Sequence, residues 1–102
     1  MTLEVIVNTI TNIKNQFNDV KNIINTAKHG ISFANIDDLE WDSAITRQDD
    51  RVEYGETRLI TYAPLDGRLY CLVWTPRDDV IRPISFCKAN AKERRRYDKE
   101  RN

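Results

Sequence analysis

A chain of 102 residues with sixteen lysines and arginines against sixteen aspartates and glutamates is neutral overall, and it is long enough for one compact domain, 1–102, and too short for two. Two Trp, four Tyr and three Phe within a 40% hydrophobic composition can fill a single core, which argues against disorder. No run approaches the roughly 18 apolar residues of a membrane span, no basic-then-apolar leader opens the chain, and two Cys with one His are too few for a usual zinc site. The expectation is a cytoplasmic protein with no membrane partner, no metal and no cofactor.

Residues 1–17 are ambiguous. LEVIV has the composition of a strand, while Leu3, Ile6, Ile10, Ile13 and Phe17 recur at helical spacing. A strand or irregular start followed by a helical turn is expected. Residues 19–29 read as a helix in which Val20, Ile23, Ile24 and Ala27 form an apolar stripe, continued by Ile31, with Lys21, Asn25 and Lys28 on the opposite face. Gly30 suits the position after the last turn, where positive φ is required, and Lys28 and His29 then sit where cations favour the helix dipole. Ser32 can cap a short helix over 33–40 that turns Phe33, Ile36 and Leu39 inward.

The middle of the chain has strand character. Residues 44–48 pair weakly, and TRLITYA (57–63), RLYCLVWT (68–75) and DVIRPISF (79–86) follow, joined by PLDG and PRDD. Links this short allow only an antiparallel meander. With 64–67 and 76–79 as loops, residue 58 faces 73 and 73 faces 82, so Arg58, Val73 and Arg82 form one cross-strand row. The arginine backbones would lie about 10 Å apart, close enough for both side chains to meet one anion. The alternative is that each Arg extends along the sheet edge or pairs with an acid such as Glu56. Ile60, Cys71 and Ile84 form the next row, with Tyr62, Leu69 and Phe86 beyond. Pro83 points to an edge or a bulge, and Cys71 and Cys87 read as small core residues.

Asn90 with Glu93 resembles a capping box that opens a last helix over about 90–100. Neutrality hides a separation of charge. Residues 37–56 hold eight carboxylates against Arg47 and Arg51, whereas Lys88, Lys92, Arg94, Arg95, Arg96, Lys99 and Arg101 face three acids at the other end. Such blocks suggest a basic face for a polyanion or an acidic partner, or simply a solvated helix.

Lys21-x-x-x-Asn25-x-x-Lys28-His29-Gly30-Ile31-Ser32-Phe33 resembles the KxxxNxxKHGVSF signature of the BrnT toxins. Gly55-Glu56-x-Arg58, Val73-Trp74-Thr75, Ile81-Arg82-Pro83-Ile84-Ser85 and Glu93-Arg94-Arg95-x-Tyr97 follow in the family's order, so that the resemblance covers roughly residues 17–98. It implies an α+β fold similar to RelE ribonucleases, with N-terminal helices packed on an antiparallel sheet and a C-terminal helix. It also implies a type II toxin, an RNA endonuclease that arrests growth. A BrnA-like antitoxin would neutralise it by direct binding, and DNA would be met only through that complex.

Metal-independent RNA cleavage needs a group to take the 2′-hydroxyl proton, donors for the charged phosphate and a proton for the leaving oxygen. His29 has the titration range for the proton work, while Lys28, Arg58 and Arg82 offer fixed charge to the phosphate. Lys21, Asn25, Lys88, Arg94 and Arg95 are candidates for flanking RNA, and Tyr97 for stacking on a base. Two departures from the family pattern stand out. Ser85-Phe86-Cys87 replaces a common Ser-Ala-Arg, so a thiol stands where a cation is expected, and Phe17-Asn18 replaces Trp-Asp. A weakened homologue that binds antitoxin or RNA without cutting is therefore the alternative function, and an unrelated nucleic-acid-binding domain a third.

Overall fold

The computed structural model describes residues 14–50, 55–78 and 80–101. Most of the ambiguous 1–17 segment lies outside them. Within it, β1 (Lys14–Asn15) leads to helix α1 (Asp19–His29), two short 3₁₀ segments (Phe33–Asp38, Trp41–Ser43), β2 (Ile45–Gln48), β3 (Leu59–Leu65), β4 (Arg68–Arg77), β5 (Val80–Lys88) and α2 (Ala91–Arg101). The strand order is β1-β5-β4-β3-β2, an antiparallel meander with the two-residue β1 added parallel to β5. The architecture is α+β, as the sequence implied.

The β3–β4 hairpin is tighter than expected. Asp66 and Gly67 both take positive φ (51° and 78°), as a two-residue type I′ turn requires, and Leu65 pairs with Arg68. Likewise Arg77 pairs with Val80, beside Asp78 at φ 53°. PLDG and PRDD therefore each give two residues to the strands. Leu59 faces Trp74 and Thr75 faces Arg82, which replaces Val73 by Thr75 between the two arginines. A register irregularity between Val73 and Trp74 sits opposite Ile84, next to Pro83, and alters the outer rows. Cys71 faces Cys87, Val73 faces Ser85, and Phe86 moves to the other face.

That other face carries the core. Leu59, Leu72, Trp74, Ile81 and Phe86 meet Phe33, Ile36 and Leu39 from the 3₁₀ segments. The buried Trp74 indole N–H donates to Thr61 Oγ1 at 2.9 Å, and Thr61 shares a 2.8 Å hydrogen bond with Thr46. Ser32 Oγ accepts from the Ala34 N–H, so the expected cap is present on a 3₁₀ rather than an α segment.

Helix α1 begins at Asn18, whose Oδ1 accepts from the Val20 and Lys21 N–H groups, and ends at Gly30 with φ 75°. Its inward face is the reverse of the expected one. Val20, Ile23 and Ile24 are 64%, 68% and 62% exposed, whereas Asn25 is 6% exposed. The cause lies at the free edge of β5. Asn25 Nδ2 donates to the Phe86 carbonyl at 2.8 Å and to the Ile31 carbonyl at 3.3 Å, and the Phe86 N–H donates to Asn25 Oδ1 at 3.1 Å. Asn22 Oδ1 accepts from the Phe33 N–H at 2.7 Å. Buried backbone groups need partners, and the two asparagines supply them.

Candidate functional site

The register places Thr75 beside Arg82, and one further step along β3 sets Arg58 on the other side of Thr75. The two arginines thus share a row, as expected, through a different central residue. Arg82 is exposed and Arg58 half-buried, its carbonyl accepting from the Asp49 N–H at 2.8 Å.

At the Arg82 end of this row lies a depression of about 180 Å³. Lys21 from the first turns of α1, Arg77 from β4 and Arg82 from β5 bring three cations to its wall, with Asn18, Glu56 and Thr75. Arg77 pairs with Glu56 at 3.4 Å, an exposed contact that solvent weakens. Thr75 is 5% exposed, and among the described residues its buried hydroxyl has no hydrogen-bond partner. Three cationic residues lining one depression suit an anion with several acceptor oxygens.

Lys28 and His29 stand at the far end of α1, exposed and half-buried respectively. His29 follows Lys21 by eight residues, about 12 Å along the axis. The structure therefore does not gather the four expected catalytic residues around one point. Arg82 belongs to the depression, and Lys28 lies nearer Cys87.

Helix α2 opens with the expected capping box: Glu93 N–H donates to Asn90 Oδ1 at 2.8 Å and Asn90 N–H to Glu93 Oε1 at 2.9 Å. The other Glu93 oxygen accepts from the Tyr62 hydroxyl at 2.8 Å, and burial, then this bond, push that hydroxyl's pKa well up. Arg47 bonds Glu100 through both carboxylate oxygens at 2.9 and 3.0 Å, which lowers the Glu100 pKa. The Tyr97 hydroxyl donates to the Ser43 carbonyl, so Tyr97 fastens the helix to the second 3₁₀ segment. Lys88, Arg94 and Arg95 are exposed, with Arg94 reaching the Ala89 carbonyl at 3.2 Å. Asn25, expected at an RNA surface, is committed to Phe86 and Ile31.

Residues 17–93 match the family described as ribonuclease toxin, BrnT, of type II toxin-antitoxin system. The chain belongs to the BrnT family. Among curated proteins no match was found. A type II BrnT toxin has an antitoxin partner and an RNA target. No helix among the described residues is long and apolar enough to cross a membrane.

Within the BrnT frame, the sequence pattern missed Arg77 and Thr75 as companions of Arg82. Thr75 ends one of the quoted motifs, and Arg77 lay in a segment read as turn. Thr75 lies within the expected strand 68–75, and Arg77 joins β4 because the β4–β5 turn tightens to two residues. The match spans Lys21, Arg77 and Arg82 of the depression and ends at Glu93, so Lys88 and Lys92 lie within it and Arg94, Arg95, Arg96, Lys99 and Arg101 beyond it.

Proposed function

We propose that this BrnT-family chain is a metal-independent RNA endonuclease that engages a backbone phosphate at the Lys21–Arg77–Arg82 depression. The observation that carries this reading is the convergence of three cations from α1, β4 and β5 beside the unsatisfied Thr75 hydroxyl. RNA supplies its own nucleophile. The 2′-oxygen attacks the adjacent phosphorus, a 2′,3′-cyclic phosphate forms, and the 5′-oxygen leaves with a proton. Glu56, which lines the depression, is placed to take the 2′-hydroxyl proton, and the cations meet the charge that builds on the phosphate. Arg58, across Thr75, strengthens the positive field behind them.

In this reading Lys28 and His29 contact the RNA backbone at a second point, and Lys88, Arg94 and Arg95 extend that basic track. The partner is a BrnA-like antitoxin, DNA is met only through the toxin–antitoxin complex, and the setting is cytoplasmic. A second reading, an RNA- or antitoxin-binding homologue with weakened cleavage, is favoured by the distance between His29 and the cation cluster.

The test is cleavage of a defined RNA by the purified, antitoxin-free chain in EDTA. The expected result is cutting to 2′,3′-cyclic phosphate ends, reduced about 100-fold or more by Arg82→Ala and by Glu56→Gln, and less by His29→Ala. RNA binding without cutting by a folded chain would establish the second reading. A loss in His29→Ala as deep as in Arg82→Ala would return the proton-transfer role to the histidine.

A further inference from the structure

Away from the depression, Cys71 of β4 and Cys87 of β5 are direct cross-strand partners, both as free thiols. Their spacing follows from Asn25. Because the Phe86 N–H and carbonyl both turn to Asn25, the Leu72–Phe86 pair is not the one exchanging backbone hydrogen bonds. Alternation along an antiparallel ladder then makes Cys71–Cys87 the hydrogen-bonded pair, with Cα atoms about 5.5 Å apart. Disulfides span about 4.4–6.8 Å between Cα atoms, a range that includes this pair, and drawing its Cβ atoms from about 5.5 Å to within about 4.5 Å takes a small backbone adjustment between β4 and β5.

The two thiols also differ in exposure. Cys71 is buried and Cys87 half-buried. Tyr62 from β3, Glu93 from α2 and Lys28 from α1 surround them. The hydrogen bond from Cys71 lowers the pKa of the Cys87 thiol, opposed by burial and Glu93 and aided by Lys28. Donating that bond, together with burial, pushes Cys71 up. Cys87 is thus the more reachable thiol, with a cation beside it, and Cys71 stands directly across the ladder.

We propose that Cys71 and Cys87 form a redox-active dithiol that a hydroperoxide closes to a cross-strand disulfide. The Cys87 thiolate attacks the peroxide, the O–O bond breaks, and Cys87 becomes a sulfenic acid as hydroxide takes up a proton and leaves as water. Cys71 sulfur then attacks Cys87 sulfur. The S–S bond forms, the S–O bond breaks, and the departing hydroxide takes the Cys71 proton as a second water. Two electrons pass from the thiols to the peroxide. A small dithiol reverses the reaction by exchange. Closure ties β4 to β5 covalently and removes the thiolate beside Lys28.

The experiment treats the reduced full chain with hydrogen peroxide and follows intact mass and free thiols. The expected product is a monomer lighter by two hydrogen atoms, with no free thiol and a Cys71–Cys87 linked peptide, restored by dithiothreitol. Its rate should rise with pH as the Cys87 thiolate forms. In Cys71→Ser the reaction should stop at a Cys87 sulfenic acid, trapped by dimedone, and Cys87→Ser should form no monomeric disulfide. Two unreacted thiols in the wild type, or disulfides only between chains, would each overturn the proposal. Because the wild type is scored as well, a variant that fails to fold does not shield the idea.

Discussion

The Asn25 amide stands beside Phe86 as a neighbouring strand would, accepting from its N–H at 3.1 Å and donating to its carbonyl at 2.8 Å. A side chain thereby closes the edge of β5 beyond the short β1. Asn25→Ala leaves both Phe86 groups without a partner and the Ile31 carbonyl with the Thr26 hydroxyl alone of its two side-chain donors, and the expected loss is about 2–4 kcal/mol. Asn25→Asp should be no milder, because it sets a negative charge against two carbonyls. Urea unfolding measures both, with the exposed Lys21→Ala as a reference expected within about 0.5 kcal/mol of wild type. Near-neutral behaviour of Asn25→Ala would mean that the edge does not depend on this amide.

The opposite face of α1 gives the complementary expectation. Val20, Ile23 and Ile24 are each more than 60% exposed. Ile23→Ser and Ile24→Ser should therefore change the unfolding free energy by no more than about 0.5 kcal/mol each, where a buried Ile would cost several. A loss above about 1 kcal/mol would show that this face is covered in the free chain.

This inversion marks what the sequence could convey. Helical spacing groups Val20, Ile23, Ile24 and Ala27 on one face, which is exposed, and Lys21, Asn25 and Lys28 on another, of which Asn25 is buried and the two lysines are exposed. Which face turns inward depended on unpaired backbone groups at Phe33 and Phe86, and those exist only once β5 is in place. The local signals read more directly: Gly30 at positive φ, the Ser32 cap, the Asn90–Glu93 box and the order of the strands. The hairpin turn was misjudged because Leu65 looked like loop beside Pro64, although Asp-Gly is itself a two-residue turn signal. That change moved Thr75 into the arginine row and revealed part of the depression.

Glu93 joins two structures with one carboxylate, since Oε1 closes the capping box and Oε2 accepts from Tyr62. α2 has no buried residue of its own and depends on such contacts. Glu93→Ala should cost about 2 kcal/mol, the sum of a lost cap and a hydrogen bond to a charged group. Tyr62→Phe should cost less, because the cap survives. Hydrogen exchange along 91–101 would register the first change strongly and the second weakly. Equal protection in Glu93→Ala and wild type would mean that Tyr97 and Arg47 hold the helix by themselves.

Thr75 offers the sharpest separation of stability from function. Its hydroxyl is buried, and among the described residues it lacks a hydrogen-bond partner, so the fold gains little from it. Thr75→Val keeps the shape and removes an unsatisfied polar group, and stability should stay equal or rise by about 1 kcal/mol. If the hydroxyl serves a phosphate held by Lys21, Arg77 and Arg82, RNA cleavage should fall by about tenfold or more in the same variant, with Thr75→Ser close to wild type. Arg82→Ala should act differently on binding, lowering the slope of log affinity against log salt by about 0.7 for one lost single-strand phosphate contact. A Thr75→Val chain that is more stable and equally active would place the phosphate elsewhere on the surface. A less stable one would mean that the hydroxyl has a partner within the folded chain.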